Sequence, residues 1–150
     1  MTVAYFDTSA LVKLFVEEDG SDDVATLWDG ADVVITSRVA DPELLAALAA
    51  AARAGRLDES AYRAAKRRWG EYRAALRFVE LSPDVATAAG ELAEAQALGG
   101  LDAIHLASAI LFSDAGLLLA SWDGRLLAGA RSGGIATLPA ATQDDDHCEP

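Results

Sequence analysis

The stretch VAYFDTSALVKLF, residues 3–15, sets the terms of the fold. An apolar run, Val3 to Phe6, delivers a single carboxylate, Asp7. Thr8 and Ser9 follow, and an apolar segment with helical spacing then begins. A fully apolar four-residue run reads as a strand buried on both faces. Ser9 can cap the helix after it. The segment is therefore a strand passing into a helix, with an acid at the junction.

The same grammar recurs along the chain. DVVITS (32–37), FVELS (78–82), GLLLAS (116–121) and IATLP (135–139) read as further short strands. Helical patterns lie between them. They run over residues 9–18, 19–31 and 37–55, then 57–77, 82–98, 101–116 and 123–133. Pro42 in a first turn, Gly55 after a last turn, and Pro83 after Ser82 mark helix ends. Strands alternating with helices imply right-handed βαβ units and a parallel sheet of about five strands with helices on both faces. The expectation is an α/β fold with one domain over residues 1–139. The polar, acidic segment 140–150 is expected to be a disordered tail.

The chain has 150 residues, 52% of them apolar, which suits one domain with a full core. Its one cysteine, Cys148, excludes an internal disulfide framework and fits a reducing cytoplasm. The first residues lack the basic and apolar regions of a signal peptide. The run LLAALAAAA falls far short of the roughly 20 residues that span a bilayer. Neither secretion nor a membrane is expected.

In an open parallel sheet, sites form beyond the carboxyl ends of the strands. Asp7 follows the first strand and Asp123 the fourth. Asp102 begins the helix DAIHLASAI, and Glu43 lies in the first turn of the helix after DVVIT. Four acids from distant positions thus face one rim. Clustered carboxylates raise one another's pKa values unless a cation neutralises them. All-oxygen ligation suits Mg²⁺, or Mn²⁺. Zinc is a poor match, because His147 and Cys148 sit in the tail and His105 stands alone. A divalent ion among carboxylates points to hydrolysis of a phosphodiester.

YFDTSALVKLF, LDAIHLASAI and LLLASWDGRLL resemble the signature blocks of PIN-domain ribonucleases, within which the chain is most similar to VapC-type toxins of toxin–antitoxin pairs. The resemblance covers about residues 2–139. It implies a PIN-like single domain and Mg²⁺-dependent endoribonuclease activity. It also implies an inhibitory antitoxin and a homodimer. By position, Asp7, Glu43, Asp102 and Asp123 would form the catalytic, metal-binding site, with Ser9 supporting them. Two positions depart from the pattern. Asp41 is an extra acid two residues before Glu43 and competes with it as the fourth ligand. Gly124 stands where a basic residue is common.

Each acid also has a plainer reading. Asp7 and Asp102 can be helix caps, Asp123 can head a DG turn, and Glu43 can answer a helix dipole. His105 reads as a core histidine with a hydrogen-bonded ring, with Asp102 within reach at i and i+3.

Net charge is −12, which opposes nonspecific nucleic-acid binding. The charge is uneven, however. Residues 53–77 hold 8 of the 12 basic residues and 3 of the 24 acids, a local +5 against −17 elsewhere. Arg63, Lys66, Arg73 and Arg77 share one helical face, and Arg67 widens it. This face is a candidate RNA contact, and a solvated surface is its plain alternative. A basic segment of an antitoxin would press against the acid cluster and compete with metal.

Two rival classes remain. One is a catalytically inactive PIN-like α/β binding module. The other is an aspartyl-phosphate phosphatase, which carries a second acid two residues after its nucleophile. Ser9 occupies that place here.

Overall fold

The computed structural model describes residues 1–142. The elements run β1 (Val3–Phe6), α1 (Thr8–Val12), α2 (Ser21–Gly30), β2 (Val33–Ser37), α3 (Ala40–Arg53) and α4 (Glu59–Ala75). After these come β3 (Arg77–Val79), α5 (Pro83–Gln96), α6 (Gly100–Ile110), β4 (Leu118–Ala120), α7 (Gly124–Ser132) and β5 (Ala136–Leu138). All five strands are parallel, in the order β3-β2-β1-β4-β5. The expected five-stranded α/β sheet is the observed one. Ala140–Thr142 follow β5, and the remainder of the expected tail lies outside the described residues.

Side chains alternate across a strand, and β1 shows why all four of its residues are apolar. Val3 and Tyr5 enter a core layer with Leu106, Leu119 and Leu126, under α5, α6 and α7. Ala4 and Phe6 enter the opposite layer with Leu11, Leu44, Leu48 and Trp69, under α1 to α4. Each fully buried Leu or Phe side chain in these layers contributes about 1.5–3 kcal/mol. The charged helix α4 docks through the stripe read from its sequence. Ala65, Trp69 and Leu76 are buried, and Tyr62 and Tyr72 pack beside them.

Two helices are shorter than their sequence patterns. The first was expected over 9–18, but α1 ends at Val12. There the amides of Lys13, Leu14 and Phe15 bond the carbonyls three residues back, tightening the chain. That turn drives Phe15 and Val16 into the core. The sixth helix was expected to reach 116, but α6 ends at Ile110. The Ser113 hydroxyl takes the Ile110 carbonyl at 2.9 Å, and Gly116 adopts a left-handed φ of 73°.

The chain runs from β1 outward through β2 and β3, then returns to pair β4 with the other side of β1. This is a topological switch point, where doubly wound sheets open a crevice. Phe6 is level with Ala120, and the Asp7 amide bonds the Ala120 carbonyl at 3.1 Å. Asp7 and Ser121 therefore leave the sheet side by side.

Candidate metal centre and active site

Asp7 is 3% exposed, and three donors hold its carboxylate. Oδ1 accepts from the Ser9 hydroxyl at 2.7 Å and from the Ala10 amide at 2.9 Å, the second bond capping α1. Oδ2 accepts from the Ser121 hydroxyl at 2.6 Å. Burial nonetheless pushes the Asp7 carboxyl above its ordinary value, against the pull of His105 and these hydrogen bonds. Asp7 therefore caps α1, as its plainer reading had it, and also lines the cleft described below.

Asp123 caps α7, with Oδ1 accepting the Leu126 amide at 2.9 Å. Its own amide bonds the Ser121 hydroxyl at 3.0 Å, so Ser121 ties Asp123 and Asp7 together. Asp102 lies in the first turn of α6. Burial raises its pKa, and the charges of Asp123, Asp7 and Glu43 add to the rise while His105 opposes it. That mutual repulsion is what carboxylates grouped around one point produce, and a cation among them would relieve it.

Glu43 sits in the first turn of α3. Its Oε1 accepts from Thr8 at 2.8 Å and lies 2.8 Å from His105 Nε2. Burial works to raise the Glu43 pKa, but the hydrogen bond and charge of His105, with the Thr8 bond, outweigh it and lower the value. On the far side of the ring, Nδ1 lies 2.8 Å from the Tyr5 hydroxyl. Burial, then the Asp7 charge, holds the Tyr5 pKa well above its ordinary value, so this hydroxyl keeps its proton and can donate to Nδ1. Nε2–H donates to Glu43 both in the cationic ring and in the neutral tautomer whose Nδ1 accepts from Tyr5. The sequence placed Asp102 within reach of His105, but its partners are Glu43 and Tyr5.

These side chains surround one cleft of roughly 400 Å³, into which Asp7, Glu43, Asp102 and Asp123 all face. Val12, Ala46 and Ala47 form an apolar wall beside them. Among the described residues, no three His, Cys, Asp or Glu side chains already stand at metal-ligating spacing. Both Asp7 oxygens and one oxygen each of Glu43 and Asp123 are engaged in the hydrogen bonds above. Glu43 Oε2, Asp123 Oδ2 and both Asp102 oxygens accept no hydrogen bond from another described side chain or amide. All-carboxylate donors suit a hard divalent ion, and the uncommitted oxygens are the ones that would ligate it.

Asp41 is elsewhere. It accepts from Trp69 Nε1 at 3.2 Å and pairs with Arg38 at 3.3 Å and Arg73 at 2.7 Å. Its charge is spent on joining α3 to α4 and to the end of β2.

The basic face of α4 is only partly available. Arg63 pairs with Glu59, and Arg73 with Asp41. Lys66 lies 5.5 Å from the Tyr62 ring centre. Arg63 and Arg67 line a second depression with Asp58 and Glu59, which offset their charge. Arg77 opens β3 and is exposed. The Arg73–Asp41 pair brings the end of this face within two residues of Glu43. Arg63 lies ten residues back, about 15 Å along the helix.

Thr8 and Ser121 were not singled out by sequence as parts of the cluster. Thr8 directly follows Asp7, which is a usable signal. Ser121 gives none until β1 and β4 are paired.

A family model described as the PIN domain matches residues 4–132. Ribonuclease VapC45 and Ribonuclease VapC49, from two Mycobacterium tuberculosis strains, are each 51% identical to this chain over 140 residues, 93% of it and 97% of theirs. A solved toxin–antitoxin complex from Klebsiella pneumoniae includes a chain of similar fold, with TM-score 0.58 and 21% identity over 84% of this chain and 91% of that one. With its acids grouped beyond the carboxyl ends of β1 and β4, this chain belongs to the PIN-domain family, in its VapC-type branch.

Proposed function

We propose that this chain is a metal-dependent endoribonuclease and the toxin of a toxin–antitoxin pair. The observation that carries the reading is the convergence of Asp7, Glu43, Asp102 and Asp123 on one cleft. The two relatives at 51% identity are themselves named ribonucleases.

Asp7, Asp102 and Asp123, with Glu43, would hold one or two Mg²⁺ or Mn²⁺ ions. A divalent ion bound there supplies Lewis acidity toward a phosphodiester and lowers the pKa of a bound water. The protein's share is orientation. Ser9, Ser121 and the Ala10 amide fix Asp7. Thr8 and His105 grip one oxygen of Glu43 and leave the other toward the cleft. Water is the nucleophile, and the bond to the 3′ oxygen breaks, leaving 5′-phosphate and 3′-hydroxyl ends.

Thr8 is not an activated nucleophile, although it lies 3.3 Å from His105 Nε2. That nitrogen is committed to Glu43 and Nδ1 to Tyr5, so the ring has no base to offer. Single-stranded RNA fits best, because a splayed backbone can reach recessed carboxylates. Arg67 and Arg77, with Arg63, Lys66 and Arg73, would be the cations that meet its phosphates. The antitoxin would set a basic side chain against the same acids. A homodimer and a cytoplasmic setting complete the reading. No helix among the described residues is long and apolar enough to cross a membrane.

The test is total RNA incubated with the purified chain and Mg²⁺ or chelator, followed by mapping of the new 5′ ends. Discrete 5′-phosphate ends that need Mg²⁺ and vanish with Asp7→Asn support the reading. An absence of cleavage under every metal tried favours the inactive binding module.

A further inference from the structure

Lys13 is a buried cation that the proposed chemistry does not use. Its side chain is 7% exposed, although lysine is among the residues least often buried. Nζ lies 3.1 Å from Glu18 Oε2, and it stands 4.8 Å from the centre of the Trp122 ring. Glu18 is itself gripped on its other oxygen by Arg56, from the connection between α3 and α4. The Glu18 amide bonds the Ser21 hydroxyl at 3.0 Å, which fixes the turn that carries Gly20. Gly20 packs closely against the indole. A Cβ there would stand 2.3 Å from Trp122 Cζ2, and the residue's φ is 88°. The Trp122 ring is thus in contact with both the Lys13 ammonium and the Gly20 backbone.

Trp122 is the middle residue of the turn that presents the acid site. Its amide bonds the Ser9 hydroxyl at 2.9 Å, and that hydroxyl donates to Asp7. Ser121 before it bonds Asp7, and Asp123 after it lines the cleft. Burying the Lys13 ammonium costs desolvation, which offsets most of its attraction to the half-buried Glu18. A specific use is a better account of an ion pair that ends on an aromatic ring beside two site acids.

We infer that Lys13, Glu18 and Arg56 form a clamp on the Trp122 ring that positions the β4–α7 turn, and through it Asp7 and Asp123, for metal. The clamp rests on the proposed function only for its effect on metal. The three residues are positioning residues and touch neither ion nor RNA. Lys13 binds the ring by its charge over the π face, Glu18 keeps that charge in place, and Arg56 keeps Glu18 in place.

The test uses the full metal-free chain, with amide hydrogen exchange read residue by residue by NMR. Lys13→Met keeps the aliphatic stem and removes the charge. Glu18→Gln, at a more exposed position, serves if the first variant folds poorly. The Trp122 and Asp123 amides should exchange about tenfold faster in either variant, while amides in the middle of α5 keep their wild-type rates. Mn²⁺ titrated into the same folded samples should bind about tenfold more weakly, as for other partners that orient metal ligands. Unchanged exchange at Trp122 and Asp123, or equal acceleration there and in α5, overturns the clamp. If wild type binds no Mn²⁺, the metal reading falls, and the exchange rates still decide the clamp.

Discussion

His105 Nε2 stands 2.8 Å from Glu43 Oε1, joining α6 to α3 across the cleft although 62 positions separate the two residues. The ring is 2% exposed and bridges Glu43 to the Tyr5 hydroxyl. His105→Leu fills much of the same space but leaves that hydroxyl and one Glu43 bond without their partner. Urea unfolding should show a loss of about 2–3 kcal/mol. Affinity for Mn²⁺ should fall about tenfold, since Glu43 loses a support. Unchanged stability and affinity would show that the bridge is idle.

The raised Asp7 and Asp102 values make stability depend on pH with a definite sign. A carboxyl whose folded pKa lies above its ordinary 3.8 holds its proton more tightly when folded. Between 3.8 and the folded value the native state binds more protons, so stability falls as pH rises through that window. Glu43 acts oppositely. Its lowered value adds stability that is present above 4.5 and lost as pH falls through the folded value. Comparing Asp7→Asn with wild type isolates the first effect. In metal-free buffer, the unfolding free energy of the variant relative to wild type should improve as pH rises above 3.8. A difference independent of pH would contradict the raised pKa.

Asp41 and Glu43 lie two residues apart in one helical turn and do different work. Asp41→Asn weakens the hold on Arg38, Arg73 and Trp69. It should lower the melting temperature, at a cost of about 1 kcal/mol, and leave Mn²⁺ affinity intact. Glu43→Gln should weaken Mn²⁺ binding, and above pH 4.5 it should also lose the stability that the ionised Glu43 draws from His105. Calorimetric titration beside thermal unfolding checks both, and an Asp41→Asn variant that loses Mn²⁺ would reverse the assignment.

Gly20→Ala brings a methyl group against the Trp122 ring at a left-handed backbone position. Strain and overpacking together should cost about 2–3 kcal/mol by thermal or urea unfolding. A neutral substitution would mean that the 19–21 turn yields freely.

The fold was legible in the sequence for a local reason, and the four acids that line the cleft were legible from strand ends together with the PIN resemblance. Val3–Phe6 announces a strand buried on both faces, and an acid at the end of such a strand can be read in place. Asp102 and Asp123 can each be read locally as a cap or a turn residue, and it was the resemblance of LDAIHLASAI and LLLASWDGRLL that set them beside Asp7. What stayed hidden was partner choice. Ser121 meets Asp7 across 114 positions only because Phe6 pairs with Ala120 in the sheet. His105 reaches Glu43, not Asp102, because α6 and α3 lie on opposite faces and meet only at the sheet rim. Arg73 looked like a free RNA contact, since its pairing with Asp41 depends on how α4 packs on α3. The early end of α1 was hidden too, because burial of Phe15 and Val16 outweighs a helical pattern that continues to Glu18.

The most direct measurement is calorimetric titration of Mn²⁺ into the wild-type chain and into four variants, Asp7→Asn, Glu43→Gln, Asp102→Asn and Asp123→Asn, all verified as folded. Wild type should bind, and each substitution should weaken binding by about tenfold or more. A folded wild-type chain that takes up no divalent ion, or four variants that bind as wild type does, would contradict the carboxylate metal centre.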